Sequence, residues 1–250
     1  VNELRGLPIR TFVVGHAREA ARQVAAEIAV LVAEQPDCVL GLATGRTPIA
    51  TYAELVELHH AGLDFGRVRS FNLDEYDGLA PDDPACFRAF MQQHLFEPAD
   101  LQPEHTHFPV RRTAQEDAAL AAARFEGEIA EAGGIDLLLL GIGSNGHIAF
   151  NEPGSERESR TRRVGLAART RRANAADFPA GRAIPTHALT MGVATILAAR
   201  RLRVLAFGAH KSNIVRRCLR EPVGPELPAT FLREHPDVVL WLDEAAAARL

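Results

Sequence analysis

The sequence predicts an α/β fold, a doubly wound, mostly parallel sheet flanked by helices. Three observations carry this. Short aliphatic or β-branched runs alternate with longer helical patterns. Polar, glycine-containing motifs directly follow several of the runs. No linker, fixed-period repeat or low-complexity stretch breaks the 250 residues. Alternation of this kind implies parallel strands joined by right-handed crossovers, with ligands bound outside the carboxyl ends of the strands. Residues 1–250 therefore read as one domain.

Strands are expected at 11–14, 38–42, 68–73, 136–141, 203–207 and 238–242. The run Leu137, Leu138, Leu139, Leu140 leaves no polar side, as a strand covered on both faces requires. Helices are expected at 17–33, 48–60, 85–95, 115–132, 191–199 and 211–220, where apolar residues recur at helical spacing or alanine dominates. Residues 152–185 form the one long stretch without a clear period, and such a stretch in a compact chain reads as a lid.

Composition excludes several classes. With a formal net charge of -4, 47% hydrophobic and 24% charged residues, the chain lacks the broad Lys and Arg excess of a sequence-independent nucleic-acid binder. No segment approaches the roughly 18 to 20 apolar residues of a membrane span, and the first residues, through Arg10, carry no signal-like apolar run; a cytoplasmic location is expected. Cys38, Cys86 and Cys218 lie far apart, with no CxxC pair, and read as reduced thiols without a metal site. The basic residues Arg157, Arg160, Arg162, Arg163, Arg169, Arg171, Arg172 and Arg182 cluster in one stretch, either as a solvated charged segment or as a face for an anionic small molecule.

Three motifs stand at strand ends. The first runs Ala43, Thr44, Gly45, Arg46, Thr47, Pro48 between a strand and a helix. A turning glycine, two hydroxyls and the free N–H groups of a helix start suit a phosphate, although an ordinary strand-to-helix turn has the same make-up. The GxxxxGK[ST] pattern is missing, which argues against nucleoside triphosphate chemistry. In the second, Ser70, Phe71, Asn72 and Leu73 lead into Asp74 and Glu75. Carboxylates there point into the ligand crevice, or else cap a turn. The third begins at Gly141 and contains Gly143, Asn145, Gly146, His147 and Glu152. Its glycines satisfy GxGxxG, but Pro153 limits any following helix and no acidic residue stands where a ribose ligand is expected, so a dinucleotide site is rejected. The glycines instead read as a close approach of backbone to a sugar ring. His147, five positions before Glu152, reads as an acid–base group oriented by that carboxylate. Arg171 and Lys211, cations from separate segments, would complete a phosphate pocket with Thr44.

Together these motifs resemble the glucosamine-6-phosphate deaminase family, through 41–48, 71–79, 141–154, 188–193 and the pair Asp243, Glu244. The strings FNLDEY and GHIAFNEPG carry most of the resemblance. It implies an amino-sugar 6-phosphate substrate, opening of the ring, proton transfer from C2 to C1 and loss of ammonia. On matching positions it implies that Asp74 is the C2 base, that His147 moves a proton between ring and anomeric oxygens, and that Glu152 orients His147. It further implies that Ala43, Thr44, Gly45, Arg46, Thr47, Glu75, Gly143, Arg171 and Lys211 bind substrate, and that neither metal nor organic cofactor is needed.

Two departures stand out. Some members carry Asp where this chain has Asn145, which accepts a hydrogen bond but adds no charge beside the imidazole. Members regulated by an N-acetylated sugar phosphate use a basic pair; here Ser155 and Arg162 match that site, Val164 replaces the lysine, and control is expected to be vestigial. A galactosamine-6-phosphate deaminase, a 6-phosphogluconolactonase-like hydrolase and a sugar-phosphate-binding regulatory domain are the alternatives. Oligomeric state stays open, a homo-oligomer included.

Overall fold

The computed structural model describes residues 1–250 apart from 81, 112, 114, 176, 177, 180 and 181, with the backbone alone for 169 and 173. The chain opens with β1 (Asn2–Leu4), β2 (Arg10–Val14), α1 (Ala17–Glu34), β3 (Val39–Leu42), α2 (Ile49–His60), β4 (Arg69–Asn72) and β5 (Asp74–Tyr76). There follow α3 (Phe87–Met91), β6 (Thr106–His107), α4 (Ala118–Glu131), β7 (Leu137–Gly141), β8 (Arg162–Gly165), α5 (Ala168–Ala173) and β9 (His187–Thr190). The last third holds α6 (Val193–Leu197), β10 (Leu202–Ala206), α7 (Ser212–Arg220), β11 (Val238–Asp243) and α8 (Glu244–Ala247).

Among the described residues, eight strands form one sheet in the order β1-β2-β11-β10-β7-β3-β4-β6. Every pairing in it is parallel except β1 with β2. Leu138 and Leu140 of β7 face one apolar cluster, shared with Phe125 of α4 and Val215 of α7. Leu137 and Leu139 face the other, shared with Val24 and Ile28 of α1 and Leu55 of α2. Side chains alternate across a strand, so a strand buried on both faces must be apolar throughout, which explains the leucine run. From β3 the chain winds toward β4 on one side, whereas from β7 it winds toward β10 on the other. The direction of winding therefore reverses between these neighbours, and the crevice of a doubly wound sheet opens at such a point.

The mostly parallel sheet agrees with expectation, but strict alternation does not hold. A second sheet, β5-β9-β8, is antiparallel. Its strands are short, and β8 (Arg162, Arg163, Val164, Gly165) is polar, so no apolar run announces them. Residues 152–185, expected to be an irregular lid, contain β8 and α5. Some helices are shorter than their patterns suggest. Asp117 accepts the N–H groups of Ala119 and Leu120, starting α4 at Ala118 instead of at 115. Cys86 Sγ accepts the Ala89 N–H to begin α3, and the helix widens to a π-turn at Gln92–Phe96. The 191–199 pattern narrows to α6 because the Met191 N–H bonds the Leu73 carbonyl (2.7 Å) and Gly192 is extended.

Candidate active site

The small sheet sets the position of Asp74. After β4 the Leu73 N–H still bonds the Leu42 carbonyl of β3, and the next residues leave the large sheet to pair with β9, Asp74 opposite Thr190. Asp74 thus stands on its own antiparallel strand, and not merely beyond the end of a parallel one. Its side chain is 7% exposed and no donor among the described residues reaches its carboxylate. Burial pushes its pKa up to about 8, and the neighbouring Glu75 carboxylate adds to the effect. The adjacent Glu75 is handled differently. Its oxygens accept the N–H groups of Tyr76 (2.8 Å), Phe87 (2.9 Å) and Arg88 (2.9 Å), which offset part of the upward push of burial. Glu75, expected to bind substrate, is therefore an anchor between β5 and the start of α3. It lines a cavity of about 660 Å³ with Arg88, Arg111 and Leu189, and Asp74 is not among the lining residues.

The loop after β7 carries the imidazole. Gly143 N–H bonds the His147 carbonyl (2.8 Å), and a Cβ at Gly143 would lie 2.2 Å from His147 Nε2. This glycine makes room for the protein's own imidazole, where the sequence reading expected it to make room for a sugar. Asn145 links two neighbours: its Nδ2 donates to Glu152 Oε2 (2.5 Å) and its Oδ1 accepts the His147 N–H (3.3 Å). Glu152 Oε1 lies 3.7 Å from His147 Nδ1 and accepts the Thr170 hydroxyl. Burial alone would raise the Glu152 pKa. The imidazole, Thr170 and Asn145 outweigh it and hold the carboxyl at about 2. Between the pair the chain turns tightly, with the Asn151 N–H on the Ile148 carbonyl and Ala149 in the left-handed region at φ 48°.

Three contacts join this loop to the rest of the site. Phe150 N–H donates to Thr190 Oγ1 (3.1 Å), opposite Asp74. Asn151 Nδ2 donates to the Met191 carbonyl (2.8 Å). Lys211 Nζ, arriving from the end of β10, donates to the Ile142 carbonyl (2.7 Å), and its burial lowers the ammonium pKa. The loop of Thr44, Gly45, Arg46 and Thr47 rises from β3, the direct neighbour of β7. Gly45 adopts φ 90°, the turn only glycine takes freely. The Tyr52 hydroxyl donates to the Ala43 carbonyl and ties this loop to α2. Arg46 is exposed.

The basic stretch is mostly paired internally. Arg157 bonds Glu234, Arg160 bonds Glu126, Arg163 bonds Asp77 and Arg182 bonds Asp83. Arg162 donates to Asn151 Oδ1 (2.8 Å) and Ser155 Oγ (3.2 Å). Arg171, on α5, differs: its Nε is buried without a hydrogen-bond partner among the described residues. The side chain of Arg169 lies outside the described residues.

Thr170, Thr190, Tyr52 and Asn151 escaped the sequence reading. Each acts by tying one segment to another, and neither period nor local spacing marks such contacts. Asp243 had been noted only as part of a matching string. Both its oxygens accept the Gly208 N–H at 2.9 Å, which fixes the turn leading to Lys211.

Comparison with known proteins agrees with this architecture. A family profile described as glucosamine-6-phosphate isomerases/6-phosphogluconolactonase matches residues 15–241. A protein named glucosamine-6-phosphate deaminase from Rhodopirellula baltica is 50% identical over 232 residues, covering 92% of each chain. A solved structure described as a monomeric glucosamine-6-phosphate deaminase superposes with a TM-score of 0.92 at 38% identity, over 97% of this chain and 100% of that one. The 6-phosphogluconolactonase of Trypanosoma cruzi shares the fold, with a TM-score of 0.77 at 20% identity, covering 100% of this chain and 99% of its own. The chain belongs to the glucosamine-6-phosphate isomerase/6-phosphogluconolactonase family.

Proposed function

We propose that the chain is a glucosamine-6-phosphate deaminase, converting glucosamine 6-phosphate to fructose 6-phosphate and ammonia. The observation that carries this reading is Asp74: a buried carboxylate without a donor among the described residues, opposite Thr190, beside the loop that holds His147 and Glu152. A C2 proton is weakly acidic. A carboxylate whose pKa is raised to about 8 is a much stronger base than an exposed one, and burial keeps it from dissipating that strength in water. In this reading His147 carries a proton from the anomeric hydroxyl to the ring oxygen, and Glu152 holds the imidazole to that task. Asp74 then moves the C2 proton to C1. Water adds to the resulting imine, and ammonia leaves.

The phosphate is assigned to Thr44, Gly45, Arg46, Thr47, Arg171 and Lys211. The unpartnered Nε of Arg171 and the lowered pKa of Lys211 support this, because a dianion would satisfy the first and restore the second. Anchoring the far end fixes C2 against the base. A lactonase needs no base at Asp74, and the lactonase neighbours are alike in fold alone. The exposed large apolar residues among those described are Val1, Val30, Leu120 and Val223, which supports a monomer. Cys38, Cys86 and Cys218 are buried thiols, which fits a reducing, cytoplasmic setting.

The test is release of ammonia and fructose 6-phosphate from glucosamine 6-phosphate, run beside galactosamine 6-phosphate and 6-phosphogluconolactone. Turnover of the first is expected. Hydrolysis of the lactone without ammonia from either amino sugar would overturn the proposal.

A further inference from the structure

Among the described residues, α5 and the residue that caps its end reach both the Glu152 carboxylate and Tyr76 of β5. Thr170, 6% exposed, donates its hydroxyl to Glu152 Oε1. The next residue is Arg171, with its unpartnered Nε. One turn on, Asn174 Nδ2 donates to the Tyr76 hydroxyl (2.9 Å), two residues past Asp74. Both Glu152 oxygens are thus pinned, Oε2 by Asn145 and Oε1 by Thr170. So held, the carboxylate stops 3.7 Å from His147 Nδ1, which is buried and has no hydrogen-bond partner. A buried N–H or lone pair left unpaired is unfavourable, and the acceptor nearest to Nδ1 is held by two other donors.

We propose that Thr170 is a positioning residue for the acid–base pair: its hydroxyl fixes the Glu152 carboxylate relative to His147, and its place beside Arg171 links that setting to the phosphate subsite. This rests on the deaminase reading above. Without the hydroxyl, Oε1 keeps its full charge and turns to Nδ1. The imidazolium is then held too tightly and passes its proton on slowly. Among the described residues, the charged groups that reach the His147 loop are Glu152, Lys211 and Arg162, and Thr170 touches only the first.

The test uses Thr170→Val, which keeps the shape and removes the hydroxyl, Thr170→Ser, which restores it, and Thr170→Ala as a second hydroxyl-free variant. Thr170→Val and Thr170→Ala are expected to lower kcat about 10- to 100-fold with KM little changed, and Thr170→Ser to return most of it. The His147 ring signals followed by NMR across pH, without substrate, are expected to depart from the wild-type profile in both hydroxyl-free variants and to match it in Thr170→Ser. Wild-type titration in Thr170→Val and Thr170→Ala, or a serine variant as impaired as the valine one, would overturn the proposal. Failure of the wild-type protein to release ammonia would instead sink the deaminase reading, and the NMR titration would still decide the role of Thr170.

Discussion

Asp74 lies directly opposite Thr190 in the antiparallel pair of β5 with β9, and the Thr190 hydroxyl accepts the N–H of Phe150, three residues past His147. One threonine therefore connects the strand of the candidate base to the loop of the candidate proton shuttle. Its contacts are backbone-based, so they fix where each segment runs without engaging either reactive side chain.

Replacing Asp74 by Asn is expected to cut turnover by at least about 10²-fold, the lower end of what a positioned base supplies. The same change is expected to stabilise the fold. The folded pKa of about 8 lies above the unfolded value near 3.8, so the folded state is penalised increasingly as pH climbs from about 4 to 8. Thermal melts should show no gain for Asp74→Asn at pH 4 and a clear one at pH 8.

The dependence of kcat/KM on pH reports groups of the free enzyme. Asp74 must be ionised to accept a proton, so kcat/KM should rise as pH passes through about 8. A profile already flat from pH 6 to 9 would show that the carboxylate is not the limiting base.

Glu152 has the opposite sign. Its folded pKa, about 2, lies below the ordinary 4.5, so its contribution to stability is complete above pH 4.5 and is lost as pH falls toward 2. Glu152→Gln should melt below the wild type at pH 6, with the gap closing by pH 2 in circular-dichroism melts.

Gly143→Ala tests the packing of the imidazole. Gly143 needs no special backbone angle, and the three atoms nearest the added methyl would be His147 ring atoms, at 2.2–2.4 Å. The ring must move. Turnover should fall by about 10²-fold while the melting temperature changes little, a split that kinetics and calorimetry resolve.

Rate curves should be hyperbolic and insensitive to N-acetylglucosamine 6-phosphate. Arg162 is engaged by Asn151 and Ser155, and Val164, where regulated members carry lysine, packs on the cluster of Tyr76, Phe150 and Leu166. Sigmoidal curves relaxed by that compound would contradict this.

What the sequence made legible follows from the range of the forces involved. The strands β3, β7, β10 and β11 are announced by apolar runs because both of their faces are buried, and Thr44, Asp74, His147 and Lys211 follow strand ends within a few residues. The small sheet was hidden because β8 offers Val164 as its one apolar side chain and β5 is a mere three residues long. The anchoring contacts of Glu75 were hidden for a related reason. Its partners are N–H groups at the start of α3, a dozen residues on, and a carboxylate that anchors a helix looks the same in sequence as one that meets a ligand.

The pairing of β5 with β9 joins segments more than a hundred residues apart in the chain. Such closures come late, since the entropy of a long loop is lost before its contacts form. A growing polypeptide could assemble much of the N-terminal half of the large sheet and still leave its would-be base unset. Refolding followed by two probes should separate the events, with the helical circular-dichroism signal recovering ahead of enzymatic competence.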